Sequence, residues 1–329
     1  MPLESSEKFP LGNLVKKFKG KKILVWGDLV LDRYIFGDVW RISREAPVLI
    51  LKYTGEEFRL GGAGNAVNNL VKLGAKVYVW GWLGRDREGE RIKGLLEDLG
   101  VDTRGIWEAD RVTIEKTRLM AGGHHRPKQQ VIRVDKGEGI EGEEFPEERF
   151  LSLWEEIKEE VEAVLVSDYG YGSVDKNFYL KMVRECGKKI FVVDSRFSLS
   201  SFPQATVITP NEEEAKMVVG EGSPEEMGKR LLQKLSPQAV ILTRGKDGMV
   251  VMEKGKPAKY IPIYGSDEVT DVTGAGDTVA SVVTLSLASG ATFYQAAQIA
   301  NYAAGMVVMK MGVATVSEEE LLSAIGGEE

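Results

Sequence analysis

The run "DVTGAGD", Asp271 to Asp277, sets carboxylates at both ends of a stretch of small residues, and "TVASVVTLSLASGA" continues from it as a buried helix. Residues without bulk let backbone N–H groups come close to a ligand, and a helix start favours negative charge. The pattern calls for an anion, with Asp277 beside it. Gly274, Ala275 and Gly276 can direct N–H groups at developing phosphate charge, while Asp277 can accept a hydroxyl proton. That chemistry is phosphoryl transfer; the plain alternative is a tight turn. A P-loop is excluded, because none of the Gly-Lys pairs at 20–21, 187–188, 228–229, 245–246 and 255–256 completes G-x-x-x-x-G-K-[ST].

Other stretches offer polar groups to the same chemistry. "GDLVLD" puts Asp28 and Asp32 just past a short apolar strand, where carboxylates accept hydrogen bonds from vicinal hydroxyls or serve as an N-cap and a solvated acid. In "LGGAGNAVNNL", Gly62 and Gly64 begin a dinucleotide-type glycine pattern, but its third position is Val67 and the preceding "GEEFR" is a poor buried strand. Close backbone approach to a small polar ligand fits better, with Asn65 turning its amide toward hydroxyls; helix packing through the glycines is the rival. Asn211 and Glu214 of "TPNEEEA" stand three apart on one helical face, which suits a hydrated Mg²⁺ near phosphates or only a capped helix start. "LTRGKDG" (242–248) reads as strand, glycine turn, strand.

Composition removes several function classes. The 329 residues are 43% hydrophobic, enough for a large core, and carry a net charge of −7 with no long Lys/Arg run, which argues against a nucleic-acid track or a basic membrane surface. One cysteine, Cys186, cannot form an internal disulfide, and two adjacent histidines, His124 and His125, cannot complete a Cys/His zinc set. No apolar signal core opens the sequence, so the expectation is a soluble cytoplasmic protein.

Strands at 163–168, 189–196, 206–211 and 238–245 alternate with helices at 175–187, 212–219 and 224–235, preceded by a strand near 21–27, a helix over 62–75, a strand over 76–84 and a helix over 87–100. That order predicts an α/β fold, a mostly parallel sheet with helices on both faces. Ligands in such sheets sit beyond the carboxyl ends of strands, where Asp168, Asp194, Asn211 and Thr243 fall. Two β-rich patches, 35–58 and 112–135 split by "GGHHRPK", predict a separate small sheet.

In this order, "GDLVLD", "GGAGN", "TPNEEEA", "LTRGKDG", "DVTGAGD" and "ANYAAG" (300–305) resemble the ribokinase-like family of ATP-dependent sugar kinases across nearly the whole chain. "GDVWRISREAPV", "SDYGYG", "VDSR" and "MKMGVATVSEEEL" are similar to its heptose 7-phosphate kinase branch, apart from Arg44 where Pro is usual and Tyr171 where Lys is common. The resemblance implies one ribokinase-like kinase domain over 1–329 with a β lid formed by about 34–60 and 101–136, often paired with another subunit's lid as a homodimer. It implies Asp277 as base and Gly274 to Gly276 as anion hole. Asp28, Asp32, Gly61, Gly62, Asn65 and Asp168 would meet the sugar, Asn211 and Glu214 would serve Mg²⁺ and phosphate, and Arg196, Thr243, Gly245, Gly248 and Asn301 would line ATP. A monovalent cation near Asp267 to Asp271 and the 310–317 loop occurs in some relatives. An acceptor already bearing phosphate needs cations, for which Arg41, Arg44, Arg59, His125, Arg126 and Arg133 are candidates. The expected reaction is phosphorylation of D-glycero-D-manno-heptose 7-phosphate at O1, with adenylylation left to a separate protein. Alternatives are a kinase for fructose, ribose or 2-keto-3-deoxygluconate, or a non-catalytic sugar or nucleotide sensor, which need not keep Asp277.

Overall fold

The computed structural model describes residues 9–123, 128–140, 144–187, 189–265, 273–310 and 314–327, with side chains from Leu11 onward. His125, Arg126, the segment 266–272 and residues 311–313 of the 310–317 loop lie outside the described residues.

Successive apolar residues on one strand have to be buried on opposite faces, and this alternation builds two cores. In β1 (Lys22–Gly27), Ile23 and Val25 pack into one core while Leu24 and Trp26 pack into the other. β8 (Ala163–Asp168) and β11 (Ala239–Thr243) alternate likewise, Leu165 and Ile241 against Val166 and Leu242. The first core is closed by α2 (Ala63–Lys72), α3 (Arg87–Asp98), α8 (Ala275–Ala288) and α9 (Phe293–Val307), with α1 (Phe9–Val15) and α10 (Glu318–Gly326) outside them. Opposite them α4 (Glu147–Ile157), α5 (Lys176–Glu185), α6 (Glu212–Val219) and α7 (Pro224–Leu235) enclose an aromatic cluster in which Trp80 meets Phe150 edge-on, 4.8 Å between centroids.

The large sheet also contains β4 (Lys76–Gly84), β5 (Asp102–Ala109), β9 (Ile190–Ser195), β10 (Val207–Ile208), β12 (Met249–Glu253) and β13 (Lys259–Ile261), and its strand order is β13-β12-β11-β10-β9-β8-β1-β4-β5. Pairing is parallel from β5 through β11 and antiparallel at β12 and β13. A second sheet has the order β3-β2-β6-β7, from β2 (Leu29–Ile42), β3 (Leu49–Gly62), β6 (Glu115–Gly122) and β7 (Gln129–Lys136). Its β2–β6 pair is parallel and the other two are antiparallel.

Two expectations are corrected here. Residues 102–109 do not join the small sheet; they pair with β4 as the edge of the large one, where Ile106 and Trp107 are buried. The small sheet also begins at Leu29, so Asp28 is the single residue between β1 and β2, and Asp32 lies within a strand. Among the described residues no helix is long and apolar enough to cross a membrane.

Gly105 of β5 faces Trp80, and a Cβ there would lie 1.8 Å from Trp80 Cδ1, whereas Gly94 in α3 has open space. Gly105→Ala is expected to destabilise by roughly 1–3 kcal/mol through overpacking. Gly94→Ala is expected to stabilise by about 0.5–1 kcal/mol through helix propensity. Urea unfolding midpoints check both signs.

Candidate active site

A cavity of about 660 Å³ opens beyond the carboxyl ends of β8 to β11. The small sheet supplies Asp32, Lys116, Arg118 and Arg133 to one end, and α8 and α9 complete the other. Its floor exists because sequence signals stop each strand there. Asn211 caps α6 in a reciprocal box with Glu214, each side chain accepting the other's backbone N–H at 2.9 Å. Gly248, at φ +79°, turns the chain into β12 where a Cβ would meet Ile261 O at 2.1 Å.

Gly274 is the N-cap of α8, and its φ of +81° is a left-handed conformation that suits glycine. The first N–H groups of a helix have no partner within it, so those of residues 275–277 face the cavity edge with the positive end of the helix dipole behind them. Asp277 sits in this first turn, 4% exposed. Asn65 Nδ2 donates to its Oδ2 at 2.8 Å and the Tyr169 hydroxyl donates to its Oδ1 at 2.7 Å. Burial pushes the Asp277 carboxyl up to about 6; the two hydrogen bonds and Lys116 oppose that rise, and Asp32 adds to it. A carboxyl poised there is a base near neutral pH that a proton can still reach.

The carboxylates crowd one end. Burial together with Glu214 and Asp277 holds Asp194 well above the usual carboxylate range, and burial also raises Glu214. Such crowding is relieved by a cation, yet among the described residues no three metal-ligating side chains converge. Asn211 Oδ1 and one Glu214 oxygen are already spent on the cap, so the donor set fits Mg²⁺ held through its waters rather than directly.

The structure brings Asp32, Gly62, Asp168, Arg133, Arg196, Asn211, Glu214, Thr243, Gly245, Gly248, Asn301 and Gly274 to Asp277 around this one cavity. Asp168 accepts from the Ser195 and Ser198 hydroxyls, and Asn301 Nδ2 donates to Pro262 O. Gly61 leaves room for Asp32, whose Oδ2 lies 2.4 Å from where a Cβ would stand. Several residues are placed differently from expectation. Asp28 lies beneath the cavity, its carboxylate accepting from the backbone N–H groups of Tyr169, Tyr171 and Ser173 at 2.7–3.0 Å, so it is not aimed at a sugar. The Asn65 amide is spent on Asp277. Arg41 lies over the exposed Trp40 ring, Arg59 pairs with Glu57, and neither they nor Arg44 line the cavity.

Sequence reasoning missed Lys116, Arg118 and Tyr169. Lys116 and Arg118 sit two apart in a strand and so share a face, a readable signal of inward cations. Arg118 forms a buried pair with Asp32 at 2.5 Å, and burial lowers the Lys116 ammonium. Lys116 Nζ lies 5.4 Å and 5.7 Å from the Tyr169 and Tyr171 ring centroids, a cation beside the position where the resemblance leads one to expect lysine.

Residues 21–320 match the family described as pfkB family carbohydrate kinase. The chain is 37% identical to a bifunctional protein HldE of Desulfatibacillum aliphaticivorans over 93% of its own length and 63% of the relative's, and 38% identical to one of Geobacter sulfurreducens over 92% and 62%. It therefore spans less than two thirds of the length of these relatives. Solved structures with the same ribokinase-like fold include Arabidopsis thaliana ribokinase complexed with ribose and ATP (TM-score 0.72, 19% identity, covering 94% of this chain and 99% of that one). Another is Escherichia coli phosphofructokinase-2 in complex with potassium (0.73, 18%, 94% and 99%).

The raised Asp277 carboxyl carries a stability consequence. Its unfolded value is near 3.8 and its folded value about 6, so the native state holds the proton more tightly and loses stability as pH rises through that window. Asp277→Asn, uncharged throughout, is expected to be more stable than the parent by about 3 kcal/mol at pH 8, with the difference vanishing as pH falls below about 4. Denaturant titrations at the two pH values test it.

Proposed function

This chain belongs to the pfkB family of carbohydrate kinases, and from that membership we propose that it transfers the γ-phosphoryl group of ATP to O1 of D-glycero-D-manno-heptose 7-phosphate, giving the 1,7-bisphosphate. The observation that carries the phosphoryl-transfer reading is a buried carboxylate in the first turn of α8, beside the helix-start amides that line the cavity. Asp277 takes the proton of the O1 hydroxyl as the new O–P bond forms. The γ-phosphoryl bond to ADP breaks as charge on the migrating group is met by the N–H groups of residues 275–277 and the dipole of α8. Glu214 and Asn211 would hold a nucleotide-borne Mg²⁺ through its waters, and it would there supply further charge neutralisation.

The heptose phosphate reading rests on the sequence resemblance and on cations at the far end of the cavity. Lys116, Arg133 and Arg196 line that end. Arg133 is paired with Asp135 at 2.8 Å, while Lys116 is half-buried with its ammonium between two tyrosine rings. A phosphate on the acceptor gives Lys116 a charge-assisted partner that an unphosphorylated sugar lacks. The small sheet covers the acceptor and excludes water, acting as the lid. Its edge strand β7 is exposed throughout, with Val131, Ile132 and Val134 in solvent, which favours a homodimer that covers them, and the reading places the enzyme in the cytoplasm.

Asp277→Asn is expected to lower turnover by about 10²–10⁴-fold while leaving ADP affinity within a factor of about two. Lys116→Ala should raise KM for heptose 7-phosphate roughly tenfold or more, with KM for ATP little changed. Steady-state kinetics with a sugar panel checks both, and rapid turnover of an unphosphorylated sugar would sink the heptose assignment. Sedimentation of the Ile132→Glu variant, expected to shift toward monomer, checks the dimer.

A further inference from the structure

The loop after β8 is held more tightly than a connection requires. Gly170 and Gly172 adopt φ of +81° and +91°, and these alternating left-handed residues turn the N–H groups of Tyr169, Tyr171 and Ser173 to one side. Such a concave run of amides binds an anion. Here the anion belongs to the chain: Asp28 Oδ2 accepts from Tyr169 and Tyr171 at 2.7 and 3.0 Å, and Oδ1 accepts from Ser173 at 2.9 Å. From the opposite side two indoles bind the carbonyls, Trp82 Nε1 to Tyr171 O at 2.9 Å and Trp26 Nε1 to Ser173 O at 2.7 Å. The loop's one product that reaches the reacting carboxylate is the Tyr169 hydroxyl, 2.7 Å from Asp277 Oδ1.

We infer that Tyr169 is a positioning residue for the base, and that the Asp28-centred loop exists to hold it. Asp277 lies on the first turn of a helix, where its carboxylate could turn toward Lys116. Asn65 from α2 fixes one oxygen and Tyr169 fixes the other, leaving the remaining lone pairs for the acceptor hydroxyl. The charged and titratable groups facing Asp277 are Asp32 from β2, Lys116 from β6, Tyr169 from the loop and Asp194 from β9. Burial and the neighbouring acids keep the Tyr169 phenol protonated far above its ordinary range, so it donates at every working pH. Its hydrogen bond favours the ionised form of Asp277, and losing it makes the base harder to deprotonate.

This inference rests on Asp277 being the base, and the experiment separates the two. Tyr169→Phe, Asp28→Asn and Asp277→Asn are assayed in the full chain with ATP and heptose 7-phosphate from pH 5 to 9, with thermal melts confirming folding. Tyr169→Phe is expected to lower kcat about tenfold, to keep both KM values within about twofold, and to move the acidic limb of the kcat profile up by about one pH unit. Asp28→Asn, which loosens the loop without touching Asp277, should move the limb in the same direction. An unmoved limb with unchanged kcat in both variants overturns the inference. So does a raised acceptor KM with an unmoved limb in Tyr169→Phe, since Tyr169 would then be a sugar contact. If Asp277→Asn keeps its turnover, the base reading itself fails, whatever Tyr169 does.

Discussion

A carboxylate closed off from water must be met by donors the fold brings to it, and Asp277 draws its two from Asn65 and Tyr169, 212 and 108 residues away in the chain. Satisfying both oxygens requires α2, α8 and the turn after β8 to converge on one point. The rest of the architecture is consistent with that demand. β1 and β8 pair directly, so the loops at their carboxyl ends are neighbours, and α2 packs along α8, with the Ser281 hydroxyl donating to Ala66 O. The convergence also makes the site electrostatically costly, because a carboxylate that burial disfavours must still ionise there to act as the base.

Charge is distributed along the cavity rather than balanced at each point. Asp194 and Glu214 repel one another at the end beneath α8, and the small sheet brings Lys116, Arg118 and Arg133 to the other. Arg118 and Arg133 are direct cross-strand partners, a like-charge pair that is tolerable because Asp32 and Asp135 each take one of them. An elongated ligand carrying cations with one anionic end and a bare anion at the other matches this layout.

Local signals were the legible ones. The spans 212–219 and 224–235 read correctly because Asn211 and Ser223 cap them and Pro224 opens the second. The large sheet and the separate small one followed from alternation of strand and helix and from the two β-rich patches. What could not be read was pairing between distant segments. Nothing in "DTRGIWEA" says that it pairs with β4 rather than with the small sheet, since register is a tertiary outcome. The acids and amides were recognised by type, yet the direction of a side chain is set by packing. Asp28 was therefore assigned to a sugar when its partners are amides of its own chain, and Asn65 when its partner is Asp277. Tyr169 gave no warning, because a tyrosine after a strand is most simply a packed ring.

The two faces of the large sheet are made of different material. On the side of α2 and α8 the core is aliphatic, with small residues such as Ala63, Ala66, Ala280, Ser281 and Thr284 buried on those two helices, while the other side carries Trp26, Trp80, Phe150, Trp154 and Phe178. Short side chains leave no slack between helix backbones, so one added methyl on that seam pushes Asp277 away from its donors. The aromatic side lies across the sheet and reaches Asp277 only through the loop that Trp26 and Trp82 hold, which carries Tyr169. The seam between α2 and α8 thus ties fold stability and the aim of the reacting carboxylate together, whereas the aromatic layer bears on that aim at the one place where its indoles grip the loop.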